Sequence, residues 1–114
     1  MNYTVVNRDA LPHDANTWDF EGAQYPNTNV SFIWVDMKPG HVVRLHQHPY
    51  EEIFIIQEGS STFTIGDKTV EAHAGQIVIA PANVPHKFVN TGGVQLKQID
   101  IHVSKAIITE WLED

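Results

Sequence analysis

The sequence predicts an all-β fold, a barrel or a sandwich. Two patterns carry that reading. Short apolar or alternating runs recur along the chain, separated by turn residues such as Lys38-Pro39-Gly40, Glu58-Gly59, Gly66-Asp67, Ala74-Gly75 and Thr91-Gly92-Gly93. Many short strands punctuated in this way are the signature of a β barrel or sandwich. In addition, Ile53-Phe54-Ile55-Ile56 is apolar in both phases. A strand with one face in water alternates more cleanly, so this one is covered on both sides. There is no internal repeat, low-complexity segment or sign of a second domain. A chain of 114 residues is expected to form one domain and to bury roughly two-thirds of its surface.

The elements follow in order. Residues 2–7 have the composition of a short first strand. Residues 8–29 are rich in turn formers, among them Asp9, Pro12, Asp14, Gly22, Pro26 and Asn27, and read as a long loop pinned by Trp18, Phe20 and Tyr25. A loop of that length leaves room for a functional role such as a substrate lid. Val30–Met37 is a strand, turned by Lys38-Pro39-Gly40. The next strand, Val42–His48, places Val42, Arg44, His46 and His48 in one phase. If the histidines point inward, Arg44 either follows them, to pair with an anionic group, or is released to solvent by a local bend. Residues 52–58 form the two-faced apolar strand, whose outer face awaits the N-terminal segment or a second subunit. Ser60–Ile65 and Lys68–Ala72 form a hairpin with the glycine-first order of a two-residue turn at Gly66-Asp67. His73 reads as a surface histidine. Gln76–Ala80 is a short apolar strand. The loop Pro81–Pro85 delivers His86, which shares a face with Phe88 and Asn90. Val94–Val103 is the last strand. Its odd phase carries Ile99, Ile101 and Val103, and its even phase carries Gln98, Asp100 and His102. The polar row either lines a wet cavity or faces solvent. Ser104 resembles a helix N-cap, and Lys105–Glu113 is expected to form about two helical turns, with Ile107, Ile108, Trp111 and Leu112 as their apolar stripe.

Charge and composition exclude several functions. Seven basic residues against fourteen acidic ones give a net charge of −7, and no basic cluster offsets it, so nucleic acid is not an expected partner. No apolar run approaches the ~20 residues of a membrane span, and the start, Met1-Asn2-Tyr3-Thr4, lacks the pattern of a signal peptide. The absence of cysteine rules out disulfides and thiolate chemistry and fits a reducing compartment, so the expected location is cytoplasmic.

The stretch from Gly40 to Gly59, GHVVRLHQHPYEEIFIIQEG, holds the chemistry. His46 and His48, at i and i+2 on a strand, point to one face with Cα atoms roughly 6.6 Å apart. Two imidazoles so placed can converge on one metal at about 2.1 Å each. A carboxylate further along joins them only if the chain turns, and Pro49-Tyr50 is where it can. That geometry predicts a metal site on two adjacent antiparallel strands. Phase alone does not choose between Glu51 and Glu52.

The same stretch resembles the first signature of the cupin family: Gly, five residues, His-x-His, three or four residues, Glu, six residues, Gly. It is met here by Gly40, His46, His48, Glu52 and Gly59. The second signature, Gly, five residues, Pro-x-Gly, two residues, His, three residues, Asn, is met by Gly75, Pro81, His86 and Asn90, with Asn83 in place of the second glycine. Asn tolerates left-handed backbone angles, so the turn is expected to survive. Residues 60–74 separate the signatures, a short spacing like that of small microbial cupins. The resemblance covers about residues 29–103. It implies a double-stranded β-helix, a jelly-roll-type barrel with core 29–103, to which the residue patterns above add an N-terminal arm and loop 1–28 and a C-terminal helix 104–114. It selects Glu52 over Glu51 and adds His86, making a ligand set of His46, His48, Glu52 and His86.

Three imidazoles and one carboxylate suit Fe, Mn, Ni, Co or Zn as divalent ions. The interior of a small barrel suits a small molecule. Phe88 would supply an apolar wall and Arg44 would anchor a carboxylate. Similar small cupins include sugar-acid-processing enzymes with an aspartate on a late strand, a place that Asp100 loosely matches as a proton shuttle. If Ile99 and Ile101 filled the barrel instead, Asp100 would be merely solvated. The family also includes dioxygenases, isomerases, decarboxylases and sugar-binding regulators. The expectation is a metalloenzyme acting on a small oxygen-rich compound such as a sugar acid, with a non-catalytic sugar- or ligand-binding protein as the alternative. The two-faced strand at Ile53–Ile56 predicts a homodimer.

Overall fold

In the computed structural model, which describes residues 2–113, ten strands form two five-stranded antiparallel sheets. They are β1 (Thr17–Phe20), β2 (Ser31–Met37), β3 (Val42–Gln47), β4 (Glu52–Glu58), β5 (Ser60–Ile65), β6 (Lys68–His73), β7 (Ile77–Ala80), β8 (His86–Asn90), β9 (Leu96–His102) and β10 (Glu110–Trp111). One sheet runs β1-β2-β9-β4-β7 and the other β10-β3-β8-β5-β6. The inner faces enclose a core of Val35, Met37, Phe54, Ile56, Phe63, Phe88 and Leu96, with Ala72 and Ala80 where the sheets come close. Strand alternation places this core: Phe54 and Ile56 are buried while Ile53 and Ile55 are half-buried on the other face. The barrel-or-sandwich expectation holds.

Left-handed backbone appears where the sequence supplies residues for it. Asn83, in the position of the missing glycine, has φ +63°. Gly66, at φ +59°, starts the two-residue turn that joins paired Ile65 and Lys68. Gly59, at φ +84°, closes β4 so tightly that a Cβ there would stand 2.7 Å from the Gln95 carbonyl oxygen. Gly59→Ala is therefore expected to destabilise the fold by about 2–4 kcal/mol, from the left-handed angle and the backbone clash together. A denaturant midpoint within error of wild type would overturn that expectation.

Three expectations require correction, and the alternative left open for Arg44 is decided in favour of the local bend. Residues 2–7 form no strand, and the stretch expected to be one long loop contains β1 and two short 3-10 turns, Arg8–Ala10 and Gly22–Gln24. β1 finds an open edge on β2, pairing Thr17 with Val35 and Phe20 with Phe32. The expected helix of residues 104–114 does not form. Ser104 does accept the Ala106 N–H at 3.2 Å, but the chain then extends, and β10 pairs with β3 at Glu110–Gln47 and Trp111–His46. The free edge of β3 offers hydrogen-bond partners that about two exposed helical turns lack. Arg44 does not share the phase of His46. A bulge sets four residues of β3, Val43 to His46, against three of β8, His86 to Phe88, so Val43 and His46 both face in while Arg44 is exposed. Finally, β3 and β4 are not paired. They lie in opposite sheets, and Pro49-Tyr50 makes a corner between sheets rather than a hairpin.

Candidate metal centre

β3 carries His46 as its penultimate residue and leads on to His48. β8 opens with His86, opposite His46 in the register. β4 opens with Glu52, brought in from the other sheet and paired with His102 of β9. One donor atom from each of His46, His48, Glu52 and His86 falls within 4.8 Å of the others, and all four residues are buried. The phase and spacing of the sequence thus bring the expected set together, between the sheets instead of along one hairpin.

Hydrogen bonds orient the rings. His46 Nδ1 lies 2.6 Å from the Arg44 carbonyl, His48 Nδ1 2.8 Å from that of Ile108, and His86 Nδ1 3.0 Å from that of Val84. A carbonyl only accepts, so each Nδ1 donates, and in the neutral ring each Nε2 presents a lone pair. Glu52 Oε1 stands 3.0 Å from Nε2 of both His48 and His86. His48 Nε2 has no well-aligned hydrogen-bond partner. Lone pairs from three imidazoles and a carboxylate converge on one buried point, an arrangement that a cation stabilises. This donor set fits a divalent metal on the chemistry of its own atoms.

Burial pushes His46 down to about 4, so it is a ready ligand at neutral pH. Burial also opposes a proton on His48, but Glu52 and the Ile108 carbonyl outweigh it and leave that ring raised above the ordinary histidine value. Glu52 is held well below the usual carboxylate range. Its burial is more than offset by His102, His48 and His86. In the metal-free protein His48 thus holds a proton to a higher pH than a free imidazole does. Metal binding is expected to release that proton, so affinity should fall on acidification through the raised His48 value. Calorimetry in buffers of different ionisation enthalpy reads this directly. Affinity unchanged between about pH 6 and 8 would overturn it.

Two residues at the centre carried no assigned role in the sequence reading. The Tyr50 hydroxyl, whose pKa burial raises to about 12, lies 2.6 Å from His102 Nδ1 and accepts the Ile108 N–H at 3.1 Å. If Tyr50 donates to His102, the His102 Nε2–H faces Glu52 Oε2, 3.1 Å away though poorly aligned. His102 then holds the carboxylate oxygen that does not face His48 and His86. Its membership of the even-phase polar row was the one sequence signal for it. Nothing in the sequence pointed to Tyr50.

The cavity beside the centre is about 430 Å³. The even phase of β9 does face it. Asp100 is buried and lines the cavity, and its Oδ1 accepts from Gln98 Nε2 at 2.8 Å. Burial, then the charge of Glu52, holds Asp100 well above the usual carboxylate range. Phe88 lines the cavity floor and continues into the core against Phe54 and Phe63. Arg44 sits at the mouth, its guanidinium 5.0 Å from the Trp111 ring, which in turn tilts over His46 at 5.0 Å. Trp111, expected in a helical stripe, thus borders the cavity. Asp14, Thr17 and Asp19 also line it from the stretch read as loop. Asp19 is raised by burial and by Asp14. A larger surface groove of about 630 Å³ lies between the N-terminal arm and Phe20-Tyr25, without any of the four clustered residues.

A family model described as "Cupin domain" matches residues 33–102. Among curated proteins, the chain is similar to Protein SchB of Streptomyces halstedii, 31% identical over 64 residues, covering 55% of this chain and 46% of that protein. The chain thus spans about half the length of that relative. Among solved structures, it is similar to the oxalate decarboxylase of Lactobacillus farciminis in its formate complex, with TM-score 0.81 and 20% identity over 91% of this chain and 34% of that one. It is likewise similar to Bacillus subtilis oxalate decarboxylase, described for its Mn(II) centres, with TM-score 0.79 and 18% identity over 88% and 29%. At such identities the structural likeness shows the fold alone.

Proposed function

This chain belongs to the cupin family, and on that premise we propose that it is a metal-dependent enzyme acting on a small, polar, oxygen-rich compound such as a sugar acid or another carboxylate. The observation that carries the proposal is the convergence of three oriented imidazoles and one carboxylate on a buried point beside a cavity of about 430 Å³. His46, His48, Glu52 and His86 are the proposed ligands. The metal is one of Fe, Mn, Ni, Co or Zn as a divalent ion. When bound, such an ion supplies Lewis acidity toward an oxygen ligand.

The chain's own residues do the rest. Asp100, held by burial and by the Glu52 charge well above the usual carboxylate range, has Oδ1 engaged by Gln98 and offers Oδ2 for proton transfer to or from the cavity. Phe88 excludes water from the floor. Arg44, braced on Trp111, meets a carboxylate entering at the mouth. Asp14 and Asp19 accept from hydroxyl groups there. No helix among the described residues is long and apolar enough to cross a membrane. The acidic charge disfavours nucleic acid, and the cavity of about 430 Å³ makes a small molecule the proposed partner. The cytoplasm is the proposed location.

The test is elemental analysis of protein purified without chelators or metal-affinity resin, followed by a substrate screen with each candidate metal. About one metal ion per chain and turnover lost on its removal, with the fold intact, are expected. Saturable ligand binding without turnover would favour the non-catalytic binding protein. Absence of metal under every condition would overturn both the centre and the enzyme.

A further inference from the structure

The four proposed ligands are not held alike. His46 and His86 are oriented by their own strands, since each Nδ1 donates to the carbonyl two residues before it, Arg44 and Val84. His48 and Glu52 have no such local support. His48 lies just past the end of β3, and Glu52 opens β4. Their outward partners come from the far end of the chain, and one peptide unit serves both. The Ile108 carbonyl accepts from His48 Nδ1 at 2.8 Å, 60 residues away in sequence. The Ile108 N–H donates to the Tyr50 hydroxyl at 3.1 Å. Two ring nitrogens stand near that hydroxyl, His102 Nδ1 at 2.6 Å and His48 Nδ1 at 3.5 Å. The His48 nitrogen already carries the hydrogen given to Ile108, so it does not accept. The Tyr50 proton therefore goes to His102 Nδ1. The neutral His102 ring then carries its hydrogen on Nε2, 3.1 Å from Glu52 Oε2. With Oε2 so occupied, Oε1 is the oxygen left to face His48 and His86. The Tyr50 ring also stacks on His48, with 5.1 Å between centroids and 12° between planes.

We propose that the C-terminal segment is a working part of the metal centre: the Ile108 peptide positions two of the four ligands, His48 directly and Glu52 through Tyr50 and His102. The inference rests on the metal centre proposed above, and it makes Ile108, Tyr50 and His102 positioning residues. The Ile108 side chain is 51% exposed, so its contribution to the centre is made by its backbone, whose N–H and carbonyl are both spent there. The segment is anchored on either side of that peptide. The Ile107 N–H donates to Glu21 Oε2, the Leu112 N–H to the Leu45 carbonyl and Gln47 Nε2 to Glu110 Oε2, each at 3.0 Å. Outer partners that fix a ligand's tautomer and direction raise metal affinity although they never touch the ion. The pairing of β10 with β3 is thus coupled to the geometry of the site.

The test uses the full chain with Zn²⁺ as the probe. Tyr50→Phe keeps the stacked ring but cuts the link from Ile108 to His102. Its Zn²⁺ affinity, read by competition with a chelating dye, should fall about 10–100-fold. Nitrogen-15 spectra of the metal-free protein, at a pH where the ring is neutral, should show His102 protonated at Nε2 in wild type and a mixture of tautomers in the variant. A merely structural role would not move that signal. In wild type, Zn²⁺ should slow amide exchange at Ile108 and Leu112 by about tenfold or more, because coupling between segment and site is reciprocal. The slowing there should exceed that in β6, none of whose residues lines the cavity. A variant that binds Zn²⁺ as wild type does, a wild-type His102 protonated at Nδ1, or exchange at Ile108 and Leu112 that slows no more than in β6 would overturn the proposal. If the variant fails to fold, the wild-type spectra and exchange decide alone. A wild type that binds no Zn²⁺ or other candidate metal overturns the centre itself, and the positioning role falls with it.

Discussion

Replacing His86 by Ala should empty the centre while leaving the barrel folded. The imidazole carries one of the three inward lone pairs. His86 also stands 3.0 Å from Glu52 Oε1, so its loss removes a donor and leaves the carboxylate less supported. Loss of even a second-layer partner typically costs 10–100-fold in metal affinity, so loss of this ring should cost more than about a hundredfold. His46→Ala should behave alike. The fold should survive because the packed core of Phe54, Phe63, Met37 and Leu96 lies away from the metal-facing edge of the ring. The carboxylates give an internal control. Glu52 is buried and Glu51 is exposed, so Glu52→Gln should lower metal content sharply and Glu51→Gln should not. Elemental analysis reads all four variants. Wild-type content in both histidine variants would remove the four-ligand assignment, and a larger effect at Glu51 would show that the wrong carboxylate was chosen.

Asp100→Asn should lower turnover on an identified substrate by about 10²–10⁴-fold, the range of a positioned general acid or base, with metal content near wild type. The direction follows from the environment. Burial and the nearby Glu52 charge favour the protonated acid, so Asp100 holds its proton to a higher pH than an ordinary carboxyl group does. The amide keeps the shape and the contact with Gln98 but cannot exchange that proton. The pH profile separates a chemical role from a structural one: the variant should lose a titration that wild type shows above the ordinary carboxylate range. Unchanged turnover would reduce Asp100 to part of the cavity wall.

Much of this protein was legible in the chain because its information is local. Strand phase separated Phe54 and Ile56 from Ile53 and Ile55 without choosing which pair faces the core, and it offered the even row of β9 as a cavity lining. The spacing of His46, His48, Glu52 and His86 matched a recurring pattern, and the residues meet. Asn83 took the left-handed angle that its position demanded. What the sequence left open depended on pairings between distant segments. The β3 bulge that exposes Arg44 is visible only against β8, because phase counting assumes an unbroken ladder. Apolar residues at 107, 108, 111 and 112 fit a helix as well as an extended edge, and the unpaired rim of β3 decided for the strand. β1 formed because β2 had a free edge, though its own residues read as loop. Tyr50 and His102, 52 positions apart, meet only once the corner at Pro49-Tyr50 carries the chain from one sheet to the other. The sequence by itself determined which residues share a strand face and which donors share a spacing, since alternation is a property of a single strand. Only the tertiary structure decided which strands became neighbours, because backbone hydrogen bonds are satisfied by whichever partner the closed fold brings within reach.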